Sequence, residues 1–182
     1  MKYIIAVIVV FMLVDIGQAE MHKAIDLRTP TTASQKLEID GLSGSNITFT
    51  SWSKNEIYIN LHVSIESSSD DYERDYIQNV KLSQMSENGV LRIRLEEPAI
   101  SNGSGSSILN IFKHFYVRKD ISGEIFVPQS NPFSTDMRYG SLTLENMKGD
   151  LQLLGTSNTL KLKNCSSISQ IDNNYGKTWI SG

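Results

Sequence analysis

A single cysteine, Cys165, leaves the 182-residue chain without an intramolecular disulfide, so its stability has to come from a packed core. Histidine is almost as scarce. His22, His62 and His114 are isolated in sequence, and none pairs with a cysteine or another histidine at metal-ligand spacing. Neither a metal nor a cofactor is expected. Charged residues make up only 20% of the chain and the net charge is −3, which argues against the basic face that nucleic acid requires. No Gly-x-Ser-x-Gly elbow occurs. Of the adjacent carboxylates, Glu96 and Glu97 point to opposite faces of a strand, and Asp70-Asp71 fall where a helix begins. The loop Ser101–Ser107 is rich in serine and glycine but is not followed by the Gly-Lys-Ser/Thr of a phosphate-binding loop. No catalytic residue is assigned, and the expectation is a protein that is not an enzyme.

Long apolar runs are also missing. The one continuous stretch, Tyr3–Val14, is shorter than the ~20 residues a spanning helix needs. Lys2 precedes it, and Gly17-Gln18-Ala19 follows with small residues at the −3 and −1 positions of a cleavage site. Residues 1–19 therefore read as a secretory signal peptide. The product is expected in the periplasm, at the cell surface or outside the cell, and not spanning a membrane. Polar residues around Pro30 make residues 20–35 a flexible linker.

What the chain does have is alternation. Ile57, Ile59, Leu61, Val63 and Ile65 alternate with Tyr58, Asn60, His62 and Ser64, the period-two pattern of a half-buried strand. Leu37/Ile39 and Ile47/Phe49 repeat it over shorter spans. Trp52 sits just before a turn, where its ring can close the end of a core. Leu91, Ile93 and Leu95 follow Asn88-Gly89, a pair that tolerates positive φ and suits a hairpin. Ile125 and Val127 belong to another strand, ended by Pro128. Only residues 69–78 break the pattern. Ser68, Ser69 or Asp70 can cap a first helical turn whose acidic residues Asp70, Asp71 and Glu73 suit the positive helix end. Tyr72, Tyr76 and Ile77 form one stripe, so one short helix is expected.

The last third repeats every 18 residues. Gly140, Asn158 and Gly176 fall in register, as do Leu142/Leu160/Thr178, Leu144/Leu162/Ile180 and Asn146/Asn164/Gly182. A recurrence that short, with turn residues at fixed places, is what stacked β-coils need. The fold expected is mainly β, a parallel β-helix or β-solenoid over residues 36–182. Corners fall at Gly140/Asn158/Gly176 and Asn146/Asn164, residues that enter the left-handed region at little cost. Met147 and Cys165 are equivalent, which makes Cys165 a small buried hydrophobe. Alternation turns two ladders outward: Thr143–Lys161–Trp179 and Glu145–Lys163–Ser181. Glu145 above Lys163 forms an opposite-charge pair, and Lys161 lies beside Trp179. These four, Trp179, Lys161, Lys163 and Glu145, are the candidate surface contacts.

Taken together, these segments resemble a known family. Leu-Glu-Ile-Asp-Gly-Leu-Ser-Gly-Ser-Asn-Ile-Thr-Phe-Thr-Ser-Trp (37–52), Leu-Arg-Ile-Arg-Leu-Glu-Glu (91–97), Gly-Glu-Ile-Phe-Val-Pro (123–128), Arg-Tyr-Gly-Ser-Leu-Thr-Leu-Glu-Asn (138–146) and Asn-Tyr-Gly-Lys-Thr-Trp-Ile (174–180) are similar to the DUF4097 adhesin family of exported bacterial β-solenoid proteins, common in Bacteroidetes envelopes. The resemblance implies a non-enzymatic envelope or secreted protein that presents a solenoid surface to a glycan or another envelope protein. It carries no catalytic residues with it. Members of that family continue through more coils, so a further run of coils beyond Gly182, or self-association through the open solenoid end, is expected. Two alternatives remain: a carbohydrate-active β-helix enzyme, and a structural or signalling accessory of the envelope.

Overall fold

The computed structural model describes residues 21–98 and 116–182. The signal segment, the Ser101–Ser107 loop and the apolar stretch through residue 115 lie outside these. Thirteen strands and one helix are described: β1 (Met21–Pro30), β2 (Lys36–Asp40), β3 (Asn46–Trp52), β4 (Glu56–Ser67), α1 (Asp70–Asn79), β5 (Lys81–Glu87), β6 (Val90–Glu96), β7 (Val117–Pro128), β8 (Phe133–Arg138), β9 (Ser141–Glu145), β10 (Leu151–Thr156), β11 (Thr159–Lys163), β12 (Ile168–Asn174) and β13 (Lys177–Ser181). The fold is mainly β, in two mixed sheets. The first runs β1-β4-β7-β3-β9-β11-β13 and the second β12-β10-β8-β2-β6-β5.

The 18-residue recurrence is a stacking distance. Leu160 lies opposite both Leu142 and Thr178, and Leu162 opposite both Leu144 and Ile180, all in parallel pairing. The other sheet keeps the spacing from Gln152 to Gln170 and from Leu153 to Ile171, with a bulge beside Leu151. Each pair β8–β9, β10–β11 and β12–β13 steps from the second sheet into the first and stacks on the one before. Leu142, Leu144, Leu151, Leu153, Leu160 and Leu162 are buried between the sheets. Ile180 differs: it points inward by alternation, yet it is exposed, because β13 is the outermost strand of its sheet.

The order of layers departs from the order of the chain. The pair β2–β3 does not stack on the strands that follow it. It sits between β7 or β6 on one side and β9 or β8 on the other, with Leu37 opposite Phe133 and Ile47 opposite Leu142. The far end is built by β1, ahead of the first pass, and by the segments between the two passes, and there pairing turns antiparallel: β4 with β7, β1 with β4, and β5 with β6. Asn88 and Gly89 both take positive φ in the β5–β6 turn, as a tight hairpin requires.

The expected linker is instead a ten-residue edge strand. Residues 21–30 pair along their whole length with β4, and Ile25 and Leu27 enter the core. Alternation is short there because its inward positions also hold Lys23 and Thr29, and Pro30 is tolerated at an edge. Lys23 has a specific task. Its ammonium is buried and donates to the carbonyl oxygens of Ile77 (2.9 Å), Gln78 (3.4 Å) and Val80 (2.7 Å), at the end of a helix with no basic residue in its last turn. Burial lowers its pKa from the ordinary lysine value, while three carbonyl dipoles favour the charged form. Lys23→Met removes the donor and the cost of burying it together. Stability measured by chemical denaturation is expected to fall by about 1–2 kcal/mol.

The helix lies where the sequence places it. The Ser69 side chain accepts from the Tyr72 N–H, and Asp70, Asp71 and Glu73 occupy the first turn. Tyr76 and Ile77 pack into the core. The Tyr76 hydroxyl donates to Glu97 at 2.6 Å, and burial pushes its pKa well above the usual phenol value.

Candidate functional site

Parallel stacking turns the outer face of the first sheet into an ordered array. Strand register sets side chains abreast in rows. One row reads Arg28, Tyr58, Phe126, Thr50, Glu145, Lys163, Ser181, and the next reads Asp26, Asn60, Glu124, Thr48, Thr143, Lys161, Trp179. The two outward ladders read from the sequence are the last three members of each row.

All four candidate contacts are on this face. Glu145 on β9 and Lys163 on β11 meet at 2.7 Å. Lys161 is the register neighbour of Trp179, which is 50% exposed. Tyr175, at the neighbouring corner, is 95% exposed. The Lys163 and Glu145 side chains are 53% and 31% exposed, so solvent screens the pair. A double-mutant cycle with Lys163→Ala and Glu145→Ala, read by urea denaturation, is expected to give a coupling below about 1 kcal/mol. The pair shapes the surface more than it holds the fold.

The other end of the rows holds a cluster that the sequence did not reveal. Trp52, Tyr58 and Phe126 form a triangle of rings with centroids 5.2 to 6.3 Å apart, Tyr58 stacked on the other two and Trp52 tilted by 31° to Phe126. The Arg28 guanidinium lies 4.0 Å from the Tyr58 ring centroid, and the Lys54 ammonium 4.7 Å from that of Trp52. Trp52 thus packs on the outside of the first sheet and does not close a core. Its Nε1 donates to the Glu56 carbonyl at 2.8 Å. Asp26 accepts from both the Tyr58 hydroxyl (2.9 Å) and Asn60 Nδ2 (2.8 Å). The first of these bonds, then burial, raises the Tyr58 pKa. The sequence marks Tyr58 only as one of the outward residues of its strand, and its partners Asp26 and Arg28 lie on β1, where the sequence predicts a linker.

Beside Trp52 is a cleft of about 380 Å³, lined by residues of the β3–β4 and β7–β8 turns, including Ser53, Asn55, Gln129, Ser130 and Asn131. Its frame is fixed by backbone bonds. Gln129 N–H donates to Trp52 O, and Gln129 O accepts from Lys148 and Gly149.

Other residues of interest stand as follows. The His22 and His62 rings approach to 5.3 Å through β1–β4 pairing, although they are far apart in sequence; His114 lies outside the described residues. Among the described residues no group of three His, Cys, Asp or Glu gathers for a metal. Cys165 is half-buried against the core, with Sγ 3.5 Å from Leu144 O. The left-handed corner residues are Tyr139, Ser157 and Tyr175, one position before those expected. Asn146 and Asn164 do take positive φ, and Asn164 Nδ2 donates to Asn146 Oδ1 at 3.2 Å. Among the described residues no helix is long and apolar enough to cross a membrane.

No family model matches the chain, and no curated protein matches it in sequence. Solved structures similar to it have roles that are themselves provisional assignments. One is a cell adhesion protein from Clostridium sporogenes, at 10% identity and TM-score 0.44, with 87% of this chain and 67% of that one covered. A second is an adhesin from Bacteroides fragilis, at 16% identity and TM-score 0.26, with 86% and 61% covered. A third is a lipid-binding protein from Parabacteroides distasonis, at 16% identity and TM-score 0.24, with 79% and 56% covered. The chain spans less than two thirds of the length of the last two.

Proposed function

We propose that this is an exported, non-enzymatic protein of the cell envelope or the extracellular space, whose stacked strands form a β-solenoid of 18-residue coils that presents a binding surface. The observation that carries the reading is the register of the first sheet. Seven strands align like positions abreast, so the outward side chains are held by backbone pairing and not by loops. Preorganised side chains lose little conformational freedom on binding. Aromatic and charged residues lie at both ends of the rows: Tyr58, Phe126 and Arg28 at one, Trp179, Lys161, Lys163 and Glu145 at the other. Exposed aromatics are the residues that most often anchor a contact.

The partner is a surface glycan or another envelope protein. The test is a printed array of bacterial and host surface glycans, together with envelope proteins of the source cell immobilised one at a time, each probed with the purified chain. Saturable binding to a subset, weakened by substitution on the outer face of the first sheet, is the expected result. A chain that binds nothing on either panel is a spacer, and the reading fails. Release of new reducing ends from any polysaccharide would replace it with the enzyme alternative.

A further inference from the structure

We infer that the cleft beside Trp52 is a binding site for a neutral saccharide, an inference that rests on the binding reading above and names the ligand class of one site on that protein. The lining chemistry selects the ligand. The cleft has about 380 Å³ of space, within the range of small-ligand sites. Trp52, Ser53, Asn55, Gln129, Ser130 and Asn131 all line it, and none of these side chains is charged. A neutral sugar offers vicinal hydroxyls, which both donate and accept, and an apolar C–H face. Amide and hydroxyl side chains match the first, since each can donate and accept. The apolar part of the lining, Trp52, Pro128 and Ala33, matches the second.

Two further observations point to an external ligand. Among the described residues, the side chains of Ser53, Asn55 and Ser130 make no hydrogen bond within the chain, so their polar groups remain available. Asn131 is 1% exposed. Its Nδ2 donates to the carbonyl oxygens of Thr32 and Gln35, both at 2.7 Å, and its Oδ1 has no partner. A buried acceptor left unpaired is costly, and it belongs to a residue that borders the cleft. The site is also built before any ligand arrives. Trp52 O accepts from Gln129 N–H at 3.2 Å, Asn55 O accepts from Thr31 N–H at 3.0 Å, and Gln129 O accepts from two amides. Both turns are thereby held at fixed positions, as a preorganised site needs. Lys54 lies over the Trp52 ring and pairs with Glu56 at 3.9 Å, so its charge is partly answered before an anion could use it.

The experiment titrates the purified chain by calorimetry with maltose, cellobiose, lactose and N,N′-diacetylchitobiose, and with sialyllactose as the acidic arm. At least one neutral disaccharide is expected to bind. Asn55→Ala and Ser130→Ala remove exposed side chains without intramolecular bonds, so both variants should keep the parent melting temperature and weaken binding about tenfold. Trp52→Ala should weaken it as well, and Met85→Ala, at an exposed position on β5 of the second sheet, should leave it unchanged. Trp52 also packs on Phe126, so the two folded turn variants decide the matter if Trp52→Ala fails to fold. The inference is overturned if only sialyllactose binds, if saccharide binding survives all three cleft substitutions, or if no saccharide binds while an envelope protein does. The last outcome leaves the binding reading standing; a chain that binds neither class removes both.

Discussion

Phe133→Ala is expected to lower stability by about 3–5 kcal/mol, the range for deleting a fully buried phenylalanine ring, and to loosen one half of the protein more than the other. Phe133 is fully buried on β8. Its ring lies 4.8 Å from that of Phe49 at 55°, a tilted pair that adds to area burial. Phe49 belongs to β3 in the opposite sheet, so the pair joins the two sheets. It also joins the two passes of the chain. Phe133 is opposite Leu37 on one side and Leu151 on the other. Among the described strands, β10–β11 and β12–β13 pair with the rest of the protein through β8–β9, and the Lys36–Gln152 bond (3.2 Å) adds a side-chain contact from β2. Removing the ring opens a cavity at that junction. Native-state hydrogen exchange should therefore show protection falling further in β8–β13 than in β1–β7. A uniform loss across both sets, or a cost below about 1 kcal/mol, would show that the junction has no special role.

How much of this was legible follows the range of each interaction. The eighteen-residue ladders were readable because parallel stacking forces like residues into like environments, so Leu142/Leu160 and Glu145/Lys163 announce themselves as pairs. The helix at Asp70–Asn79 was readable because Ser69 and three acidic residues satisfy its free amides locally. The position of β2–β3 was not. The contacts that set it, Leu37 with Phe133 and Ile47 with Leu142, join alternating segments that would pair as well with several others. β1 was lost for a different reason: Lys23 looks polar in sequence and is buried only because a helix end lies above it. The aromatic cluster and the cleft were hidden by the same distances, since Trp52, Phe126 and Gln129 meet across strands far apart in the chain. Of the left-handed corners, Asn146 and Asn164 stand where expected, while those at Gly140, Asn158 and Gly176 were misplaced by one residue. Gly140 is required by space: a Cβ there would lie 2.4 Å from Ser45 O and 2.9 Å from Met137 Cε. Tyr139 takes the positive φ instead.

Asn158 shows what fills such a corner when glycine does not. It is 6% exposed and binds the corners on both sides. Its Oδ1 accepts from the Gly140 N–H at 3.0 Å, and its Nδ2 donates to Met137 O at 2.5 Å. On the other side its own N–H donates to Asn173 Oδ1 at 3.2 Å, and its carbonyl accepts from Lys177 N–H at 2.8 Å. The room for this side chain comes from Gly155, where a Cβ would lie 2.2 Å from Asn158 Nδ2 and from Met137 O. Asn158→Ala leaves the Gly140 amide and the Met137 carbonyl without their side-chain partner. At about 1–3 kcal/mol for each unpaired buried group, the loss should reach about 2–6 kcal/mol, measurable by urea denaturation. Asn158→Asp separates the two bonds. A carboxylate still accepts from Gly140 but repels the Met137 oxygen, so its cost should rise as pH is raised through the carboxylate range, where the alanine variant's cost stays flat. Gly155→Ala should mimic the alanine variant by crowding the amide out of place. If Asn158→Ala costs less than about 1 kcal/mol, water replaces the amide and the corners are held by backbone pairing alone.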